Sequence, residues 1–130
     1  MIKSRILVVD DEPNLSGLVR LLLEKTLRFD VRVENRSSLA VAAGREFRPD
    51  LILLDVDMPG KDGGDVAADM QREPSLRNVP ILFLTSLISR EEAGEKMTLR
   101  GGMRFLAKPV SPKSLIEAVD HLLAAEVRAA

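Results

Sequence analysis

Short aliphatic runs recur along the chain at 6–9 (ILVV), 31–33 (VRV), 51–54 (LILL), 81–84 (ILFL) and 105–107 (FLA). Several are apolar at consecutive positions, the pattern of strands buried on both faces of a parallel sheet. Helical periodicity fills the intervals. Leu15, Leu18, Val19, Leu22 and Leu23 fall at i, i+3, i+4, i+7 and i+8, and Leu115, Ala118, Val119, Leu122 and Leu123 repeat that spacing. Two further helices are predicted over about 38–47 and about 63–72, and a fourth over about Arg90 to Arg100 with Gly94 in its interior. Ser111 with Pro112 reads as an N-cap followed by an N1 proline, and Ser89 with Glu92 fits a capping box. Arg100 and Gly101 supply a basic last turn and a C′ glycine for the fourth helix. Five strands alternating with five helices predict an α/β fold, a doubly wound parallel sheet with right-handed crossovers.

Composition narrows the function classes more than it alters the fold. At 130 residues the chain is one domain by length, large enough to bury a core without staples. That domain is read over residues 1–125, with a short tail, EVRAA, at 126–130 and no effector domain after it. Nineteen basic residues nearly balance twenty acidic ones, and no basic stripe is interleaved with aromatics, which disfavours direct nucleic-acid binding. The absence of cysteine excludes a disulfide framework, a thiolate metal site and a cysteine nucleophile together. The apolar run near the N-terminus is too short for a signal peptide and no later run approaches a membrane span, so the chain reads as soluble and cytoplasmic.

The residues that follow each strand carry the chemistry. Asp10, Asp11 and Glu12 come after the first, Asp55 and Asp57 after the third, Thr85 and Ser86 after the fourth, and Lys108 with Pro109 after the fifth. Asn35 and Arg36 end the second and carry no assignment. In open α/β sheets ligands bind outside the carboxyl ends of the strands, so these groups meet on one rim. A hard divalent cation resolves the clustered acids, and magnesium suits one or two carboxylates completed by water and phosphate. A lysine ammonium and a hydroxyl suit phosphate oxygens. The set describes phosphoryl chemistry on a carboxylate nucleophile. Each residue alone has a plainer reading: Asp10 or Asp11 as a helix cap, Asp55 as the start of an Asx turn, Thr85 as a strand-end β-branched residue, Lys108 as a solvated cation. Their coincidence on one rim outweighs those readings. His121 flanks the apolar stripe of the last helix and reads as a surface residue.

Taken together, ILVVDDEP, LILLDVDMPGKDG, ILFLTS and FLAKP resemble the receiver domain of bacterial two-component response regulators, collinearly over essentially the whole chain. The resemblance implies a flavodoxin-like five-stranded sheet in the order 2-1-3-4-5. It implies Asp55 as phosphoacceptor and Mg²⁺ organised by Asp10 and Asp11, with Asp11 a direct ligand and Asp10 holding a water. Asp55 and the main-chain carbonyl of Asp57 would complete that metal site. It implies Thr85 as the hydroxyl that reorients towards the phosphoryl group, Lys108 as its ion partner, and Phe105 as the aromatic switch. The implied donor is a sensor histidine kinase or phosphotransfer protein. The implied output is an unidentified partner bound through the fourth helix, fifth strand and fifth helix, and a phosphorylation-linked dimer is compatible with it. Turnover would be limited to the chain's own aspartyl phosphate.

This sequence departs from the usual pattern in three places. Ser86 adds a hydroxyl beside the switch threonine, Phe105 stands where tyrosine is commoner, and Arg104 stands where an acid is usual. Two other classes share part of the pattern. A haloacid-dehalogenase-like phosphatase uses an Asp-x-Asp, which Asp55-Val56-Asp57 fits locally, but on the first strand and usually followed by threonine. A flavodoxin-like electron carrier would share the fold, yet DDEPN after the first strand would repel a flavin phosphate, and four Phe with no Trp or Tyr leave little to stack a flavin.

Overall fold

A twisted sheet in the order β2-β1-β3-β4-β6-β5 forms the centre of the computed structural model, which describes residues 2–86, 97–100 and 102–129. The strands are β1 (Ser4–Val9), β2 (Phe29–Glu34), β3 (Leu51–Asp55), β4 (Ile81–Thr85), β5 (Thr98–Arg100) and β6 (Met103–Ala107). The described α-helices are α1 (Pro13–Glu24), α2 (Ala40–Phe47), α3 (Gly63–Arg72) and α4 (Pro112–Ala129), with a 3₁₀ turn at Ser37–Leu39 ahead of α2. Every pairing from β2 across to β6 is parallel, and β5 alone is antiparallel, to β6.

The consecutive apolar residues of the strands divide between two cores, because alternate side chains leave a strand on opposite faces. Ile6, Val8, Leu51 and Leu53 point into one cluster with Val19 and Leu23 of α1 and Leu115, Val119 and Leu122 of α4. Leu7, Val9, Ile52 and Leu54 point into the other with Ala40 and Ala43 of α2 and Val66 and Met70 of α3. The two predicted leucine stripes are therefore the buried faces of α1 and α4, although Leu18 of the first stripe stays half-exposed. Ser111 caps α4 as expected, its Oγ accepting the Ser114 N–H at 3.1 Å, and His121 is exposed. The helix continues through Ala129, across most of the segment read as a tail.

One predicted element is corrected. Residues 98–100, assigned to the end of the fourth helix, form β5, so the described sheet has six strands rather than five. Gly102, at φ +80°, lies in the turn that lets Arg100 pair with Met103 and fold back on β6. Gly101, read as the terminator of that helix, lies outside the described residues. The rest of the predicted helix, with Ser89, Glu92 and Gly94, lies outside the described residues. The expected order 2-1-3-4-5 is otherwise kept, the fifth predicted strand being β6.

The start of α3 presses directly on the strand that carries Asp55. Asp62 caps the helix, accepting the Asp65 N–H at 3.0 Å while Asp65 accepts the Asp62 N–H at 3.3 Å. Gly63, the first helical residue, lies so close to β3 that a Cβ there would sit 2.6 Å from the Asp55 carbonyl oxygen and 2.9 Å from Val56 Cα. Backbone atoms cannot swing aside as a side-chain tip can. Gly63→Ala should therefore cost about 1–3 kcal/mol, the scale of overpacking, and shift the amide resonances of Asp55 and Val56. Gly64→Ala, whose Cβ would meet only the Asp62 side chain at 3.3 Å, should be neutral or stabilising by denaturant titration.

Candidate functional site

The order β2-β1-β3 means that the chain leaves β1 for one neighbour and returns to it on the other side, the switch point where an open α/β sheet forms a crevice. Asp10 follows β1 and Asp55 ends β3, so both stand on that crevice. Asp55 does not merely follow its strand, as the apolar run suggested. It stays in the ladder opposite Leu84, and Thr85 likewise stays in β4 opposite Ala107. Ladder pairing uses main-chain groups only, so a polar side chain can occupy the last rung.

Asp10, Asp11 and Asp55 bring one carboxylate oxygen each to within 4.8 Å of the others. Asp10 and Asp55 are only 1% and 2% exposed, while Asp11 is less buried. Asp10 does not cap α1, whose N-cap is Glu12 with no side-chain cap bond. Instead its Oδ1 accepts the Glu12 N–H at 3.0 Å, and its Oδ2 is buried with no hydrogen-bond partner. Burial, reinforced by the negative charge of Asp55, pushes the Asp10 carboxyl up to about 6 against the opposing pull of the Glu12 N–H and Lys108. Converging hard oxygens with one unsatisfied buried oxygen fit a magnesium-like cation, completed by water and phosphate.

Among the described residues the cation of the cluster is Lys108, its side chain 17% exposed, whose Nζ lies 2.5 Å from Asp55 Oδ1 and 4.0 Å from Asp57 Oδ2. Its main-chain N–H donates to the Thr85 carbonyl at 2.8 Å, which fixes the base of the lysine against β4, and the Lys108–Pro109 peptide is cis. Asp55 Oδ1 also accepts the Asp57 N–H at 3.1 Å. Thr85 is buried, 2% exposed. Phe105 pairs across strands with Phe83, their rings stacked 5.2 Å apart between centroids. Thr85 and Phe83 alternate along β4, so Thr85 shares with Phe105 the face of the sheet that carries the second core.

Asn35 carried no assignment from the sequence, and Ser86, placed on the rim, had no predicted partner. Asn35, after β2, donates from Nδ2 to the Asp10 carbonyl at 2.7 Å and to Ser16 Oγ at 2.9 Å, which ties the acidic loop to the buried side of α1. Its place at a strand end on the same rim was the available signal. Ser86 donates to Asp57 Oδ2 from both its Oγ, at 2.8 Å, and its N–H, at 3.1 Å. Desolvation raises the Asp57 pKa, but the two Ser86 bonds and Lys108 outweigh it and hold the carboxyl below its ordinary value. Asp57 thus presents an ionised side chain beside the lysine, separately from its main-chain carbonyl.

Among the described residues no helix is long and apolar enough to cross a membrane. A family model for the response regulator receiver domain matches residues 6–120. The chain is 36% identical over 118 residues to the DNA-binding response regulator MtrA of Mycolicibacterium smegmatis, covering 90% of this chain but 49% of that protein. It is 30% identical over 122 residues to protein PilH of Pseudomonas aeruginosa, covering 93% of this chain and 98% of that one. The chain therefore spans about half of MtrA and nearly all of PilH. Its fold matches that of the chemotaxis protein CheY4 of Vibrio cholerae with a TM-score of 0.79 at 24% identity, over 93% of this chain and 99% of the other. A dehalogenase-like phosphatase and a flavodoxin-like carrier find no support in these likenesses. With the acids, the hydroxyl and the lysine gathered at the switch point of a 2-1-3-4 sheet, and a family match over nearly its whole length, this chain belongs to the response regulator receiver domains.

Proposed function

We propose that Asp55 is the phosphoacceptor and that its phosphorylation changes the surface a downstream partner reads. A carboxylate oxygen of Asp55 attacks the phosphorus of a phosphohistidine on a sensor histidine kinase or phosphotransfer protein. An O–P bond forms, the N–P bond breaks, and the imidazole leaves with its electron pair. Asp10, Asp11, Asp55 and the Asp57 main-chain carbonyl would hold Mg²⁺. When bound, that ion supplies positive charge against the phosphoryl oxygens. Lys108 adds a mobile cation that can follow the new charge from Asp55 to a phosphoryl oxygen. Thr85 offers a hydroxyl to another, and Phe105, stacked on Phe83, is the group that answers its movement.

The observation that carries this reading is the contact of Lys108 with Asp55 Oδ1 inside a triad of carboxylates of which Asp10 and Asp55 are buried. Two like charges this close and this dry need a cation to persist, and a nucleophilic carboxylate there gains most when a phosphoryl group recruits the same cations. We assign the chain a cytoplasmic place of action and no catalysis beyond forming and losing its own aspartyl phosphate. The receiver is assigned to residues 1–125. The output surface is assigned to the face of β6 and α4, together with the predicted fourth helix, most of which lies outside the described residues.

Acetyl phosphate with Mg²⁺ should add one phosphoryl group to the wild-type chain by intact mass, none to Asp55→Asn, and none after chelation. Undiminished labelling of Asp55→Asn would reject the assignment. A second expectation follows from Asp10. Its folded value of about 6 lies above its ordinary 3.8, so its contribution to apo stability is full below about 4 and is lost as pH rises through about 6. Asp10→Asn should flatten that part of the profile relative to wild type, and Mg²⁺ should raise the wild-type melting temperature chiefly above pH 6. Melting curves from pH 4 to 8, with and without MgCl₂, test both.

A further inference from the structure

The bond from Ser86 to Asp57 joins the loop after β4 to the loop after β3 across the mouth of the site. Its geometry bears on which carboxylate Lys108 serves. The ammonium touches Asp55 Oδ1 at 2.5 Å and stands 4.0 Å from Asp57 Oδ2, so a short movement would divide it between the two acids. Asp57 Oδ2 is the same atom that accepts both the Ser86 hydroxyl and the Ser86 N–H. An oxygen already holding two donors attracts a third less strongly, and its side chain is pinned by bonds that reach from another strand.

We propose that Ser86 is a positioning residue that engages the Asp57 carboxylate and thereby reserves Lys108 for Asp55 and the phosphoryl group it receives. The inference rests on the reading of Asp55 as acceptor and adds the control of its cation. With the clasp made, Asp57 stays at the rim as a charge already satisfied. With the hydroxyl removed, Asp57 keeps one donor and turns towards Lys108, and the lysine is shared. The site then has less positive charge free for the phosphate of an incoming donor. The Ser86 side chain is assigned no contact with the reacting atoms. It acts through Asp57 on Lys108, so removal of the Asp57 charge should make its hydroxyl irrelevant.

The test is a double-mutant cycle read in two ways. In the apo protein, the Lys108 ammonium resonance should move in Ser86→Ala, return in Ser86→Thr, and not move when Ser86→Ala is made in an Asp57→Asn background. With acetyl phosphate and Mg²⁺, Ser86→Ala should raise the donor concentration for half-maximal rate by roughly three- to tenfold, the scale of one ordinary hydrogen bond. The limiting rate should change less, Ser86→Thr should recover most of the loss, and Ser86→Ala should add no further loss to Asp57→Asn. An equal penalty in both backgrounds, no penalty in either, or an unmoved Lys108 resonance would overturn the proposal. If the wild-type chain takes no phosphoryl group, the acceptor reading fails, and the apo resonance still decides the clasp on its own.

Discussion

Two carboxylates, Asp10 and Asp55, lie almost wholly buried within reach of one another, with one ammonium beside them among the described residues. Repulsion that water would reduce to about 1 kcal/mol at 4 Å grows several-fold in a medium of lower dielectric constant. The protein meets that cost in two unequal ways. Asp55 is given Lys108 and a main-chain N–H, whereas Asp10 is given one N–H and an oxygen with nothing to accept. The site is thus built short of positive charge, a shortage that a bound cation would relieve. Asn35, holding the Asp10 carbonyl, and Gly63, packed on the Asp55 carbonyl, keep the two acids from drifting apart to relieve the repulsion.

Much of this could be read from the chain because burial leaves a signature in order of residues. Leu51–Leu54 had to be a strand covered on both sides, and an acid directly after it had to stand at a rim. The same logic located Asp10, Thr85 and Lys108, since each follows an aliphatic run. What could not be read were contacts that depend on which strand lies beside which. Asn35 reaches Asp10 across 25 positions and Ser86 reaches Asp57 across 29, and neither partner is marked by local pattern. The strand β5 was hidden for another reason. Thr98-Leu99-Arg100 is too short to show alternation, and Gly101 has equal standing as a helix terminator and as half of a hairpin turn.

The family match gives these residues a common setting without fixing what lies downstream. MtrA carries a second half that this chain does not match, whereas PilH is covered nearly end to end, so one receiver architecture serves proteins of both lengths. Two departures from the usual pattern lie side by side on β6. Phe105 has no phenol hydroxyl to satisfy and can lie against Phe83 as one aromatic pair, and Arg104, beside it on β6, is only partly covered. Being adjacent on β6, the two side chains leave the sheet on opposite faces, Phe105 on that of the second core.

The sheet also acts as a partition. Ile6 and Leu7, adjacent in sequence, belong to cores that face opposite ways, and the same is true of Leu53 and Leu54. Side chains in one core have no direct contact through which to sense a change of volume in the other, so the energetic effects of substitutions on opposite faces should sum. Sequence drift in such a protein has two nearly independent compartments: α1 with α4 can be recut on one side and α2 with α3 on the other. The rim is excepted. Because it is made from the ends of strands that line both compartments, it is the one region where the two histories of substitution have to agree.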